Sequence, residues 1–140
     1  MRLSTDKSTY STGETVHITL TITNIGPACA GAELSGACND GASATNESGQ
    51  EVWDSDASPD GVSVTSCPAE VIKSIPSGWT DSDQLAWTQD RCVSLAPTVP
   101  TPTTNPQCPE TQVAPGTYSL VGRWSTNEES ESAPVSITIT

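Results

Sequence analysis

The sequence predicts an all-β fold, an immunoglobulin-like antiparallel β-sandwich of about seven to nine short strands with long loops. Three observations carry that expectation. Apolar and polar residues alternate strictly in two stretches, one near each end of the chain. Turn signals containing Gly or Pro recur between short β-like runs. The composition is rich in Thr, Ser, Gly and Pro, with no Phe and one Met, so Val, Ile, Leu, Trp and Tyr must fill the core. A chain of 140 residues is long enough for one buried core, and residues 1–140 are read as a single domain.

The elements follow in order. A short first strand near Leu3 ends before a turn at residues 10–14. Val16, Ile18, Leu20 and Ile22 then alternate with His17, Thr19, Thr21 and Thr23, the pattern of a strand with one buried face. Asn24, Gly26 and Pro27 stop it. Residues 28–41 are small and Gly/Ala-rich and read as an irregular loop. Residues 43–46 and 50–54 make a hairpin around Gly49. A second hairpin is expected from residues 70–75, through Pro76, Ser77 and Gly78, back along residues 82–89. Its register sets Cys67 almost opposite Cys92, where antiparallel Cβ atoms stand roughly 4.5–5.5 Å apart, close to what a disulfide requires. Residues 96–109 are Pro/Thr-rich and should form an extended, exposed loop. A turn at Pro115 and Gly116 precedes a strand through Tyr118, Leu120 and Trp124. Val135, Ile137 and Ile139 mark the last strand.

Charge and cysteine content narrow the setting. Seventeen acidic groups against five basic ones give a net charge of −12. Phosphate backbones and anionic lipid surfaces repel such a chain, so nucleic acid is excluded as an expected partner. No apolar stretch reaches the ~18–20 residues of a membrane helix, so membrane insertion of this segment is not expected. The five cysteines, Cys29, Cys38, Cys67, Cys92 and Cys108, contain no CxxC pair. They fit a disulfide-forming compartment better than a reducing cytosol. Cys67–Cys92 is the first expected bridge; the pairing of Cys29, Cys38 and Cys108 stays open. The expected location is extracellular or at the cell surface, with Met1 following a removed signal or anchor segment.

The order of motifs resembles the BsuPI family, named for an intracellular proteinase inhibitor. The matching pieces are residues 15–24, residues 49–55 (GQEVWDS), residues 75–78 (IPSG) leading to residues 85–89 (LAWTQ), and residues 113–120 (VAPGTYSL). They cover most of the chain in the family's order. The resemblance implies an immunoglobulin-like fold and, as a function, proteinase inhibition. The five cysteines and the loops at 28–41 and 96–109 are additions to the compact family pattern.

Catalytic chemistry finds no support in the residues. The single histidine, His17, occupies a polar phase of a regular strand, and neither GxSxG nor HExxH occurs. No enzyme and no cofactor are expected. Asp54, Asp56 and Asp60 alternate through a Gly-containing loop and are a candidate calcium site, with a solvated turn as the competing reading. Trp53, Trp87 and Trp124 fall in strand patterns and read as core. Trp79 sits at the tip of the second hairpin as a candidate contact residue, or folds back over the sheet edge; Asp81 and Asp83 accompany it. Asn46, Glu47 and Ser48 match the N-glycosylation sequon.

The expected function is therefore a non-enzymatic, extracellular or cell-surface module that binds a protein partner. One alternative is a proteinase inhibitor that presents residues 98–109 to an enzyme cleft. A second is a structural subunit of a larger surface or phage assembly.

Overall fold

In the computed structural model, the description covers residues 1–33, 40–56, 72–92, 111–125 and 129–140. The alternation in residues 16–23 is realised as β3 (Val16–Thr23), the central strand of a three-stranded antiparallel sheet. Val16, Ile18 and Leu20 are fully buried on its inner face, while His17 and Thr23 stand exposed on the other. Its neighbours are β1 (Arg2–Thr5), with Leu3 opposite Leu20, and β8 (Thr80–Trp87), running from Thr80 opposite Thr23 to Trp87 opposite Val16. On the outer face cross-strand hydroxyl and amide pairs form, Gln84 Nε2 donating to Thr19 Oγ1 at 3.0 Å, with Thr21–Ser82 and Thr23–Thr80 contacts at 3.2 Å.

The opposing sheet has the order β2 (Thr9–Tyr10), β11 (Val135–Ile139), β9 (Gly116–Ser125), β5 (Asp40–Asn46) and β6 (Glu51–Asp54), with β10 (Glu129–Glu131) also paired to β9. The first strand changes sheets: β1 belongs to one and β2, parallel to β11, to the other. Tyr10, 1% exposed, fastens the crossing by donating its hydroxyl to Asp6 Oδ1 at 2.6 Å and accepting from the Lys7 amide at 3.0 Å. Tyr118, near the start of β9, donates its hydroxyl back to the Ala114 carbonyl. That bond is the tyrosine corner of immunoglobulin-like sandwiches. The fold is thus all-β and immunoglobulin-like, and no helix occurs among the described residues.

Side chains from the two sheets meet in one core. Trp53 of β6 stacks on Trp87 of β8 at 5.6 Å, and Trp87 meets Tyr118 edge-on at 5.7 Å. Four residues along β9 from Tyr118, Gly122 marks a close approach of the two sheets: a Cβ there would lie 2.3 Å from Leu20 Cδ2. The small residue is what lets β3 and β9 come together.

The described residues form eleven short strands, the first changing sheets and the last interrupted at Ser132, whose hydroxyl accepts from the Gly122 amide at 2.9 Å. Two expectations need correction. Residues 28–41 are not wholly irregular: β4 (Cys29–Glu33) pairs with β7 (Ile72–Ile75) in a separate two-stranded sheet. The second hairpin does not form. β7 and β8 are joined by the expected turn, with Gly78 at φ 78° and the Trp79 amide on the Pro76 carbonyl at 3.1 Å, yet they enter different sheets. The register argument for Cys67–Cys92 falls with that hairpin. Cys92 is disulfide-bonded and buried, lying along β6 through bonds to Val52 and Asp54 at 3.0 and 2.7 Å. Cys38, Cys67, Cys108 and the expected loop at 96–109 lie outside the described residues, as does Asp60.

Candidate functional site

The two ends of the sandwich differ. At the first end the N-terminal halves of β3 and β9 meet the C-terminal end of β8, around Trp87 and Tyr118. Gln89, fully buried, closes this end from a left-handed backbone (φ 66°). Its Oε1 accepts from the Gly13 amide at 2.8 Å, and its Nε2 donates to the Ser11 and Glu14 carbonyls at 2.9 and 2.6 Å. One amide side chain thereby satisfies three backbone groups of the turn between β2 and β3. Just beyond, the Val113 amide donates to the Gln89 carbonyl and the Arg91 amide to the Thr111 carbonyl, at 2.8 and 3.0 Å.

The second end is less fully covered among the described residues. Gly122 lies against Leu20, so the residues two further along each strand, Trp124 and Ile22, come to the same end of the sandwich. Trp124 keeps the inward phase of Tyr118, Leu120 and Gly122, yet it is only half-buried. It was expected in the core. Trp79, also half-buried, follows the turn that leads into β8. Asn24 locks this turn: its amide donates to the Trp79 carbonyl at 2.9 Å and its carbonyl accepts from the Gly78 amide at 2.8 Å. The Asn24 side chain donates to the carbonyls of Pro27, Ile75 and Pro76 and accepts from the Gly26 amide. Ile25, next in the chain, is 96% exposed, the one large hydrophobic so exposed among the described residues.

Asp81 and Asp83 share the inward phase of Leu85 and Trp87, opposite Ile22 and Leu20, but both are exposed. β8 therefore overhangs the core at this end. Charges on the inward phase of an edge strand also discourage pairing with another chain. Sequence reasoning singled out Trp79, Asp81 and Asp83 and missed Ile25 and Trp124. Consecutive stop signals at Asn24, Gly26 and Pro27 were the only sign that Ile25 leaves the strand.

The carboxylates proposed for calcium are placed differently from that expectation. Asp54 is buried and its Oδ1 accepts from Arg123 Nη2 at 2.6 Å and from the Asp56 amide at 3.0 Å. Asp56 Oδ2 lies 3.7 Å from the same guanidinium. Burial raises the pKa of both Glu51 and Asp56, the Asp54 charge raises them further, and Arg123 works against the rise. A guanidinium of the chain itself thus engages two of the three carboxylates of the loop reading, and the third, Asp60, lies outside the described residues. Among the described residues no three His, Cys, Asp or Glu side chains are placed to hold one. His17 is exposed in β3, as its phase indicated. Asn46 holds the β5–β6 turn through its Oδ1, which accepts from the Ser48 and Gln50 amides at 3.0 and 2.9 Å.

No family model matches the chain, and no curated protein matches it. Among solved structures it is similar to part of a β-glucosidase from Erythrobacter marinus, with TM-score 0.47 and 7% identity over 100% of this chain and 15% of that one. A β-glucosidase from Listeria innocua, solved with gluconolactone, gives TM-score 0.46 and 14% identity over 99% of this chain and 16% of that one. The chain spans under a fifth of the length of either.

Proposed function

We propose that this chain is a non-enzymatic binding module of the cell surface or extracellular space, which engages a protein partner through the less covered end of the sandwich. One observation carries the reading: half-buried Trp124 of β9 comes to the same end of the sandwich as half-buried Trp79 and exposed Ile25, which flank a turn locked by Asn24. Amphipathic aromatics held on a rigid platform bring contact area at little cost in conformational entropy. The position fits as well. The connections after β3 and after β9 leave from this end, as the B–C and F–G loops do at the binding end of immunoglobulin variable domains. That parallel is one of fold alone. The disulfide at Cys92 supports maturation outside a reducing cytosol.

The test is partner capture from surface and secreted proteins of the source organism, with the wild-type chain and a Trp79→Ala, Ile25→Ser double variant run side by side. A protein retained by the first and lost from the second supports the reading. Identical captures by both overturn it. Non-reducing peptide mapping of the native protein identifies the Cys92 partner, and five free thiols in freshly isolated protein would remove the compartment argument.

A further inference from the structure

We infer that Asn46 is a modification site, whose side-chain nitrogen carries an N-linked glycan at the turn between β5 and β6. This rests on the extracellular placement in the reading above and adds a covalent modification to it. Asn46, Glu47 and Ser48 spell the acceptor sequence for such a glycan. Three residues match easily by chance in a chain this rich in Ser and Thr. The geometry of the carboxamide carries more weight than the match.

Two asparagines sit at turns with opposite ends of the carboxamide engaged. Asn24 commits its nitrogen: Nδ2 donates to the carbonyls of Pro27, Ile75 and Pro76 at 3.0, 3.3 and 3.2 Å. Two residues on stands Gly26, which has no hydroxyl. Asn46 commits its oxygen instead, Oδ1 accepting from the Ser48 and Gln50 amides at 3.0 and 2.9 Å. Its Nδ2 has one contact, to Gln50 Oε1 at 3.5 Å, too long for a strong hydrogen bond. Ser48 Oγ enters no hydrogen bond among the described residues.

The surroundings leave room for a bulky group. Asn46 is partly exposed, and residues 47–50 are exposed. Gly49 turns the chain at φ 74°, and a Cβ built on it would meet nothing within 4 Å. Register sets Asn46 opposite Tyr118, at the closed end, so a glycan there leaves Ile25, Trp79 and Trp124 clear.

The donor is a sugar linked to a polyprenyl phosphate. The bond from Nδ2 to the sugar C1 forms as the bond from C1 to the phosphate oxygen breaks. The carrier leaves with that electron pair, and the nitrogen gives one proton to a base of the transferase. Nothing is oxidised or reduced. Oδ1 is untouched, so both of its bonds to the turn survive the transfer.

The test is peptide mapping by mass spectrometry of the native protein, isolated from the surface or secreted fraction of its source organism. The peptide spanning Asn46 is expected to carry glycan mass. In the same organism Ser48→Ala should lose that mass and Ser48→Thr should keep it. Asn46→Asp retains the oxygen that holds the turn and removes the nitrogen, so it should fold and carry no glycan. Glycan mass that persists in Asn46→Asp lies elsewhere in the chain and overturns the site. A bare Asn46 in the wild type with Cys92 bridged overturns the inference and leaves the extracellular reading standing. A bare Asn46 together with five free thiols overturns both.

Discussion

The closed end and the less covered end of this sandwich use the same residue type to opposite effect. At the closed end Trp87 is fully buried, stacked on Trp53 and edge-on to Tyr118, with its indole Nε1 donating to the Asp90 carbonyl at 3.1 Å. At the other end Trp124 keeps the inward phase and remains half-buried, and Trp79 sits on a turn. Phase along a strand decides which face a side chain takes. Position along the strand decides how deeply it is then covered.

The largest test of this contrast is a pair of truncations. Trp87→Ala is expected to cost about 3–5 kcal/mol, the range for a fully buried aromatic in a packed core. Trp124→Ala should cost about 1–2 kcal/mol, since only part of its surface leaves water on folding. Denaturant midpoints at equal m-values measure both, and equal losses would break the comparison. Gly122→Ala sharpens it from the middle of the molecule: a methyl group aimed at Leu20 should destabilise by about 1–3 kcal/mol through overpacking.

Gln89→Leu tests the closed end's polar seal. It strands the Gly13 amide and the Ser11 and Glu14 carbonyls, with an expected loss of about 1–3 kcal/mol. Hydrogen exchange at Gly13 should rise as well. Fast exchange there already in the wild type would show that the seal is not holding.

The smallest effect is electrostatic. Glu51 has a raised folded-state pKa, caused first by burial and then by the Asp54 charge. Its contribution is therefore favourable below the unfolded pKa, about 4, and is lost as pH rises through the raised value. Glu51→Gln should raise Tm slightly at neutral pH and give no gain at acid pH; a Tm that falls at neutral pH would refute this. Asp6 and Glu14 act in the other direction. Hydrogen bonds from Tyr10 and Lys7 respectively lower their pKa values, so their stabilisation is present above the ordinary carboxylate range and is lost as pH falls through the lowered values.

The sandwich was legible where one face of a strand is buried. The alternation of Val16, Ile18, Leu20 and Ile22 announced β3, and that of Ile137 and Ile139 announced β11. β4 gave no such sign, because Cys29, Ala30, Gly31, Ala32 and Glu33 include no β-branched residue. The mistaken hairpin has a different cause. Pro76, Ser77 and Gly78 specify a tight turn, and the same turn serves strands that pair and strands that part into different sheets. Trp79 drew notice through its neighbours, Gly78 and Thr80. Trp124 gave no warning: its phase matches that of Leu120, and alternation marks the face of a strand, not how deeply a side chain near its end is covered. Gln89 was equally silent, since no local pattern marks a glutamine as the plug of a turn seventy-odd residues away.

The bonds joining residues 89–91 to 111–113 carry a consequence for how this protein can be altered. They hold two points of the backbone side by side, as a neck fastens the mouth of a bag, whatever length of chain runs between them. A change on either side of this clasp, at residues 89–91 or 111–113, is therefore felt on the other, because each half holds the other's backbone in place.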